Sequence, residues 1–597
     1  MEKYTSRKDV PEKYKWDLTS FFKDIDEFNK CYEETSKNVE ELKSYVGCTK
    51  DANKLYEFLV KDINTVASVE NIYVYSYLIN DQELGISSSI ERKNKAESLM
   101  NSYFMNISFF SPELLKLSKE EYDKLFEENE SLKEFKSNLD DIYRMKEHIL
   151  PEDKQNIVTA LENAMNHFDD MSSTMLNSCH NYGVVHKNGE EIVLSPTNYR
   201  KVMKESERVD RKDIREQYTK VLNQYGDMSA QFLDSFVKSC VAETKIKNYK
   251  TAWDSKLFEL KLTNKVFEAL VSATEDHLDV LQKYYDLYKK VYHYPKLYQY
   301  DLVLDLVKDN HEYSIEEAQE VILKALEPLG KDYLKLFKKV FDNRYIDYCQ
   351  YKGKCSGGYS FGTLTNDSRI LLSFNGDLDS VSTIAHEGGH NVHNQLIGLN
   401  NKLQNREKPS IVCEVASLTN ECLLSSYLSE NGKTKEEKLS GIDNILGVIV
   451  SNLFGAVREG KMEQDMYSHV EEGNSLTKEY MDKLTIDSLS KYYGNSVILD
   501  ESSNTSWMTR SHFYNFFYLY SYAICISVAS NVAKEILAGN KEMLDNYIKF
   551  LSTGSDVDTM ETFKILGVDL ESKDVYENAI KYFDELIDKF NKIYEEA

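Results

Sequence analysis

Only seven prolines and 24 glycines occur in 597 residues, so the chain has few places to stop a helix. That scarcity bounds the fold more than any other feature. Proline removes a helical hydrogen bond and glycine costs backbone entropy, so a chain poor in both favours long helices over many short strands. Apolar residues recur at helical spacing from the start to about residue 180, with acidic and lysine-rich faces between them. Ser314 to Leu326 shows the pattern: Ser314 and Glu317 form a capping box, and Ile315, Ala318, Ile322 and Ala325 line one face. The segment GVVHKNGEEIVL departs from it, with two short apolar runs flanking the hairpin signal Asn188-Gly189. No repeat of roughly 20–50 residues is present, which removes solenoids and propellers.

A formal net charge of -26 makes nucleic acid an unsuitable partner, because its phosphates would be repelled. The aromatic content of 12%, with 42 Tyr, argues against disorder despite 29% charged residues. The nine cysteines are odd in number and scattered without CxxC spacing, the pattern of a reducing compartment. The N-terminal stretch is charged and lacks the apolar core of a signal peptide. The most apolar stretches, Ile445 to Val457 and Phe516 to Val528, fall short of the ~20 apolar residues a membrane span needs. These features predict a soluble, cytoplasmic protein with neither nucleic-acid nor membrane partners; oligomeric state is not legible.

The densest glycine region, GKCSGGYSFGTLTNDSRILLSFNG at 353–376, reads as a flexible loop leading into a strand with Ile370, Leu372 and Phe374 in alternation. It contains no GxxxxGK[ST] phosphate loop. Next comes DLDSVSTIAHEGGHNVHNQLIG. Asp377 or Asp379 can cap a helix there, with Leu378, Val381, Ala385, Val392 and Leu396 as its buried stripe. His386 and His390 are four apart and project from one face, near enough to share a tetrahedral zinc. Glu387, turned aside from the metal, can reach a water at it. Gly388 and Gly389 cost helix stability by about 1 kcal/mol each, which a purely structural helix would avoid.

Zinc needs a third protein ligand. The extended pattern HExxHxxGxxH fails, since position 393 is His and position 396 is Leu. His393 lies about 10 Å of rise beyond His386 on the same helix, and reads as a packing or supporting residue. The next helix, PSIVCEVASLTNECLLSSYL, has Ser410 as a cap and a stripe through Val412, Val415 and Leu418. Glu414 and Glu421 share a face of this apolar segment, where a buried carboxylate wants a compensating cation. On spacing alone either can be the ligand.

The stretches KGKCSGGYS, ILLSFNGDLDSVSTIAHEGGH and CEVASLTNE resemble those of bacterial oligoendopeptidase F, among the thimet-type zinc peptidases. PEKYKWDLTSFF, SFFSPELL, WMTRSHFYNFFYLYSYA and GSDVDTMETFKILGVDL extend the likeness over nearly the whole chain. The resemblance implies a mainly α, multi-helix zincin-like peptidase enclosing a deep channel, with a small β-sheet next to the HExxH helix. It implies an N-terminal helical region over residues 1–190 and a catalytic zinc peptidase domain over 191–597. It also implies that Glu414 completes a site for one zinc ion per chain and that the helix of Glu421 supports it. The family usually has a bulky residue where Gly388 stands, and often Arg where Cys355 stands. A looser helix or roomier subsite is expected at the first, altered loop ordering at the second.

The tetrahedral oxyanion of peptide hydrolysis needs neutral hydrogen-bond donors, and residues 510–522 are rich in them. The resemblance favours His512 with Tyr514, Tyr520 or Tyr522; our candidates are His512, Tyr514 and Tyr522. The expected activity is zinc-dependent cleavage of internal bonds in short unfolded peptides, with Glu387 as base. The strand Ile370 to Phe374 is expected to pair with the peptide main chain. The rivals are a zinc carboxypeptidase of similar HExxH-plus-Glu type and an inactive helical peptide-binding protein. An intact Glu387 argues against the latter.

Overall fold

Capping side chains set where the principal helices begin. The computed structural model describes residues 4–596 except 152–153, 155–157, 159–166, 188–189 and 309–310. It is 73% helical with little sheet, which makes the fold mainly α. In chain order the helices used below are α1 (Ile25–Leu42), α2 (Ala52–Gln82), α3 (Ser87–Ile107), α4 (Ile315–Ala325), α5 (Gly330–Asp342), α6 (Leu378–Asn400), α7 (Ser410–Asn431), α8 (Lys435–Ile449), α9 (Ala456–Glu471), α10 (Leu519–Leu537) and α11 (Asp574–Glu595). Asp51 caps α2 by accepting the N–H groups of Asn53 and Lys54. At α4 half of the expected capping box forms: Ser314 Oγ accepts the Glu317 N–H at 3.1 Å. The Glu317 carboxylate meets His311 Nε2 at 3.2 Å instead of returning to the cap.

Packing divides the chain into two units, each built from three segments. The first comprises Met1–Pro151, His311–Tyr427 and Val532–Val568; the second comprises Glu152–Asn310, Leu428–Asn531 and Asp569–Ala597. These bounds differ from a linear division at residue 190, because packing groups segments that are remote in sequence.

In the first unit, α1, α2 and α3 enclose an aromatic-rich core around Phe22, Phe28, Phe58 and Tyr75. The segment WDLTSFF is strapped to it by Arg369, whose side chain is 1% exposed. Its Nε donates to the Asp17 carbonyl at 2.7 Å and its Nη2 to Ser20 Oγ at 2.6 Å. A buried guanidinium is tolerated here because oxygens face it.

The sheet beside α6 has the order β3-β5-β4, from β3 (Ile346–Asp347), β4 (Tyr359–Phe361) and β5 (Arg369–Leu371). β5 runs parallel to β3 and antiparallel to β4. The glycine-rich loop before β4 is pinned by a buried cation. Lys354 Nζ pairs with Asp347 at 2.8 Å and donates to the carbonyls of Asp347, Cys349 and Leu372. Arg7 reaches the other oxygen of Asp347 at 2.5 Å. At Cys355, where altered loop ordering is expected, the N–H donates to the Asp81 carbonyl at 2.9 Å, and Leu84 N–H donates to Gly353.

Asp377, not Asp379, caps α6, accepting the Ser380 N–H at 2.9 Å. Its two central glycines have separate packing reasons. A Cβ at Gly388 would stand 2.3 Å from Phe337 Cζ of α5. One at Gly389 would stand 2.8 Å from Ser417 Cα of α7. The expected roomier subsite at Gly388 is thus a correction: the Phe337 ring fills that space.

In the second unit, β1 (Val184–Lys187) and β2 (Glu190–Val193) pair antiparallel as the hairpin reading expects. The turn at Asn188-Gly189 lies outside the described residues. One continuous helical run, Lys435–Glu471, is long and apolar enough by length and composition to cross a membrane, a longer run than Ile445 to Val457. Leu439, Ile442, Ile445, Leu446 and Ile449 on α8 are all buried, and α8 packs on α11, which accounts for that composition.

Gly398 provides a control for the two packed glycines, since nothing lies within 4 Å of a Cβ built there. Gly398→Ala should raise the apparent unfolding midpoint, by the ~0.5–1 kcal/mol that alanine gains over glycine in a helix. Gly389→Ala should lower it by about 1–3 kcal/mol, the cost of overpacking. Thermal melts of both variants check the contrast.

Candidate metal centre

The close approach at Gly389 sets the register between α6 and α7, which run antiparallel here. Asn420 Nδ2 on α7 donates to the Ala385 carbonyl at 3.0 Å and its Oδ1 accepts from Tyr333 at 2.9 Å. That register places Glu414 beside both histidines: its Oε2 lies 3.3 Å from His386 Nε2 and 3.4 Å from His390 Nε2. The three ligand atoms lie within 4.8 Å of one another. Glu421, two turns further on, engages the other nitrogen of His386, with Nδ1 at 2.6 Å from its Oε1. Ser382 Oγ donates to the second oxygen of Glu421 at 3.0 Å. An Nδ1–H donated to Glu421 would leave Nε2 free to face a bound cation, the tautomer a metal ligand requires. The two carboxylates that spacing left equivalent thus occupy different positions.

Two imidazole nitrogens and one carboxylate oxygen converging in this way fit a tetrahedral divalent cation with an open fourth position. The electrostatics agree. Burial opposes charge on His386, but Glu414 and Glu421 hold its pKa well above the ordinary imidazole range. Burial would raise the Glu414 carboxyl, yet the two histidines hold it well below the usual range. Both carboxylates therefore favour positive charge here, as proton or as metal cation. Glu387 is 8% exposed. Burial pushes its carboxyl up, the two histidines draw it back, and Glu414 and Glu421 add to the rise. A carboxyl moved toward neutrality is suited to accept a proton and return it. His393 lies outside the group; it is 1% exposed, with Nδ1 unpaired among the described residues.

The peptide-pairing strand is a correction. Ile370 and Leu371 lie in the middle strand, bonded to β3 on one side and β4 on the other. Leu372 and Phe374 donate their N–H groups to Asp347 and Tyr348. Among the described residues, Arg369–Leu371 have neighbours on both sides, because the chain before them folds back as β4. Among the described residues the outer edge on that side of the sheet belongs to Tyr359–Phe361. The signal was present in the sequence as YSF after the glycine pair.

A family model described as peptidase family M3 matches residues 202–582, which include every residue of this centre. The chain belongs to peptidase family M3. A second family model, described as oligopeptidase F, matches residues 113–179. The chain is 28% identical to oligopeptidase PepF of Bacillus subtilis over 98% of its own length and 88% of that protein. It is 26% identical to group B oligopeptidase PepB of Streptococcus agalactiae, covering 97% of each. The crystal structure of oligoendopeptidase-F from Enterococcus faecium superposes with a TM-score of 0.75 at 25% identity, over 96% of this chain and 100% of that one. The protein is a metallo-oligopeptidase of the oligoendopeptidase F type.

The donor-rich segment of this M3 peptidase lies in the second unit. His512 and Tyr522 have ring centroids 6.0 Å apart, and Tyr518 lies 5.2 Å from Tyr522. All three are half-buried. Tyr514 instead packs on Phe236, with ring centroids 5.3 Å apart. Tyr520 is a core residue, 1% exposed between Trp253 and Phe267. Tyr518, four residues before Tyr522 in the sequence, is not among the candidates drawn from it.

Glu414→Ala should remove most bound metal, whereas His393→Ala should retain it. Glu421→Ala should weaken metal binding by about 10–100-fold, the usual cost of losing a partner that orients a histidine ligand. Metal analysis after dialysis against graded chelator separates the three.

Proposed function

We propose that the protein is a zinc-dependent endopeptidase acting on internal bonds of short, unfolded peptides. The observation that carries the reading is the convergence of His386, His390 and Glu414 with a buried Glu387 on the same helix. His386 Nε2, His390 Nε2 and Glu414 would hold the ion, one per chain. When bound, zinc supplies Lewis acidity that polarises the scissile carbonyl and lowers the pKa of water toward ~7. The Glu387 carboxylate takes the proton of the attacking water and delivers it to the departing amine nitrogen. Glu421 keeps His386 in the tautomer that leaves Nε2 free.

An extended peptide would pair with the outer edge of β4, where main-chain hydrogen bonds give affinity with little sequence preference. His512, Tyr522 and Tyr514 are proposed substrate and oxyanion contacts on the strength of the family resemblance, and Tyr518 joins them through its contact with Tyr522. The division into an N-terminal region over 1–190 and a catalytic region over 191–597 is supported by family matches falling on either side of it. Scattered cysteines support a cytoplasmic location, and the net charge of -26 speaks against nucleic acid.

Glu387→Gln should keep the metal and lose turnover by roughly 10²–10⁴-fold, the range expected for removing a general base. Equal metal content with near wild-type turnover would remove Glu387 from that role. A second test separates the endopeptidase from its carboxypeptidase rival. The enzyme is incubated with a short C-terminally amidated peptide and, separately, with a stable folded protein. Mass spectrometry should find internal cleavage of the first and the second intact. An amidated peptide left uncut, with single C-terminal residues released from the same peptide bearing a free carboxylate, would favour the carboxypeptidase.

A further inference from the structure

Three positions on one face of α9 hold the segment that carries His512, Tyr518 and Tyr522. Glu459, 6% exposed, accepts Arg510 Nε and Nη2, each at 2.6 Å, one on each carboxylate oxygen. Such a bidentate pair fixes orientation as well as distance. Arg458 Nη2 adds a further bond to Glu459 at 2.7 Å. Arg510 stands two residues before His512, so this anchor sits at the start of the segment.

One turn along α9, Glu463 is fully buried, and its Oε1 accepts the Phe517 N–H at 2.7 Å. Phe517 has a φ of 52°, the left-handed region that any residue with a Cβ enters at a cost. The strained residue immediately precedes Tyr518. Its ring is packed by Tyr467 at 4.6 Å and Trp253 at 5.0 Å. The other oxygen of Glu463 has no hydrogen-bond partner among the described residues. A buried carboxyl with one oxygen unpaired lowers stability, so an apolar residue would serve a purely structural helix better.

Between the two acids, Gly460 gives the third contact. A Cβ there would stand 2.8 Å from Tyr520 Cζ and 3.0 Å from Cε1 and Cε2. The Tyr520 ring therefore rests directly on the α9 backbone, just beyond Tyr518.

We propose that Glu459, Gly460 and Glu463 are positioning residues for the peptidase reaction. The face of α9 acts as a template that fixes residues 510–520 in one backbone conformation and thereby aims the His512, Tyr518 and Tyr522 donors. The proposal rests on the reading that this segment contacts substrate. It goes beyond that reading by assigning the geometry of the segment to α9.

The test compares metal-loaded wild type, Glu463→Leu, Glu463→Gln, Gly460→Ala and His512→Ala below their measured melting temperatures. kcat and KM are read on a quenched fluorescent peptide, with metal content measured on the same samples. Glu463→Gln keeps an oxygen acceptor and should stay within about threefold of wild type in kcat. Glu463→Leu and Gly460→Ala should lose about 10–100-fold in kcat with KM and metal content unchanged, as expected when transition-state contacts are misplaced. If Glu463→Leu does not fold, Gly460→Ala decides, because it adds one methyl group. Wild-type kcat in folded, loaded Glu463→Leu and Gly460→Ala, alongside a loss in His512→Ala, overturns this inference alone. Wild-type kcat in His512→Ala overturns the reading of the segment and the inference with it.

Discussion

The contact between α6 and α7 at Gly389 is the constraint on which the centre depends. With no Cβ at that position the α6 backbone comes against Ser417 and Ala416, and the two helices lock at one register. Asn420 on Ala385, Glu414 on both histidines and Glu421 on His386 all follow from it. Gly388 lets Phe337 of α5 close the opposite side. The roughly 1 kcal/mol that each glycine costs a helix is offset by packing that a larger residue would forbid.

Three buried carboxylates, Asp347, Glu421 and Glu459, serve the fold as orienting devices, each facing a partner of opposite character. Asp347 lies between Arg7 and Lys354 and so ties the N-terminal segment and the glycine-rich loop to the sheet. Glu421 engages Nδ1 of His386. Glu459 accepts two arginines. An ion buried without such a partner would be strongly unfavourable, so removing one member of these sets costs more than the pair contributes when intact. The surplus of -26 is thus compatible with locally matched charge in the interior.

The sheet supplies a second constraint. A strand can recognise a peptide main chain only through unpaired N–H and C=O groups, and neighbours on both sides use them up. The alternation of Ile370, Leu372 and Phe374 points to a strand here, which forms over Arg369–Leu371, but which strand keeps an edge depends on the chain that folds against it. Here the preceding residues take the outer place.

The mainly helical fold, the HExxH helix and the family were legible in the sequence, because they rest on spacing within one element or on motifs. Spacing narrowed the helix cap to Asp377 or Asp379 and the third ligand to Glu414 or Glu421. Scarce breakers imply long helices, and a four-residue interval puts His386 and His390 on one face wherever that helix lies. Only the tertiary structure decided matters that depend on which elements meet. It gave Glu414 and Glu421 different places, showed Gly388 filled by Phe337, moved the open strand edge to Tyr359–Phe361, and separated Tyr514 and Tyr520 from the cluster of His512, Tyr518 and Tyr522. Side chains of like chemistry on one helix or in one tyrosine-rich run are equivalent to local physics. The approach of a second backbone breaks that equivalence, since close packing admits one register and one set of neighbours.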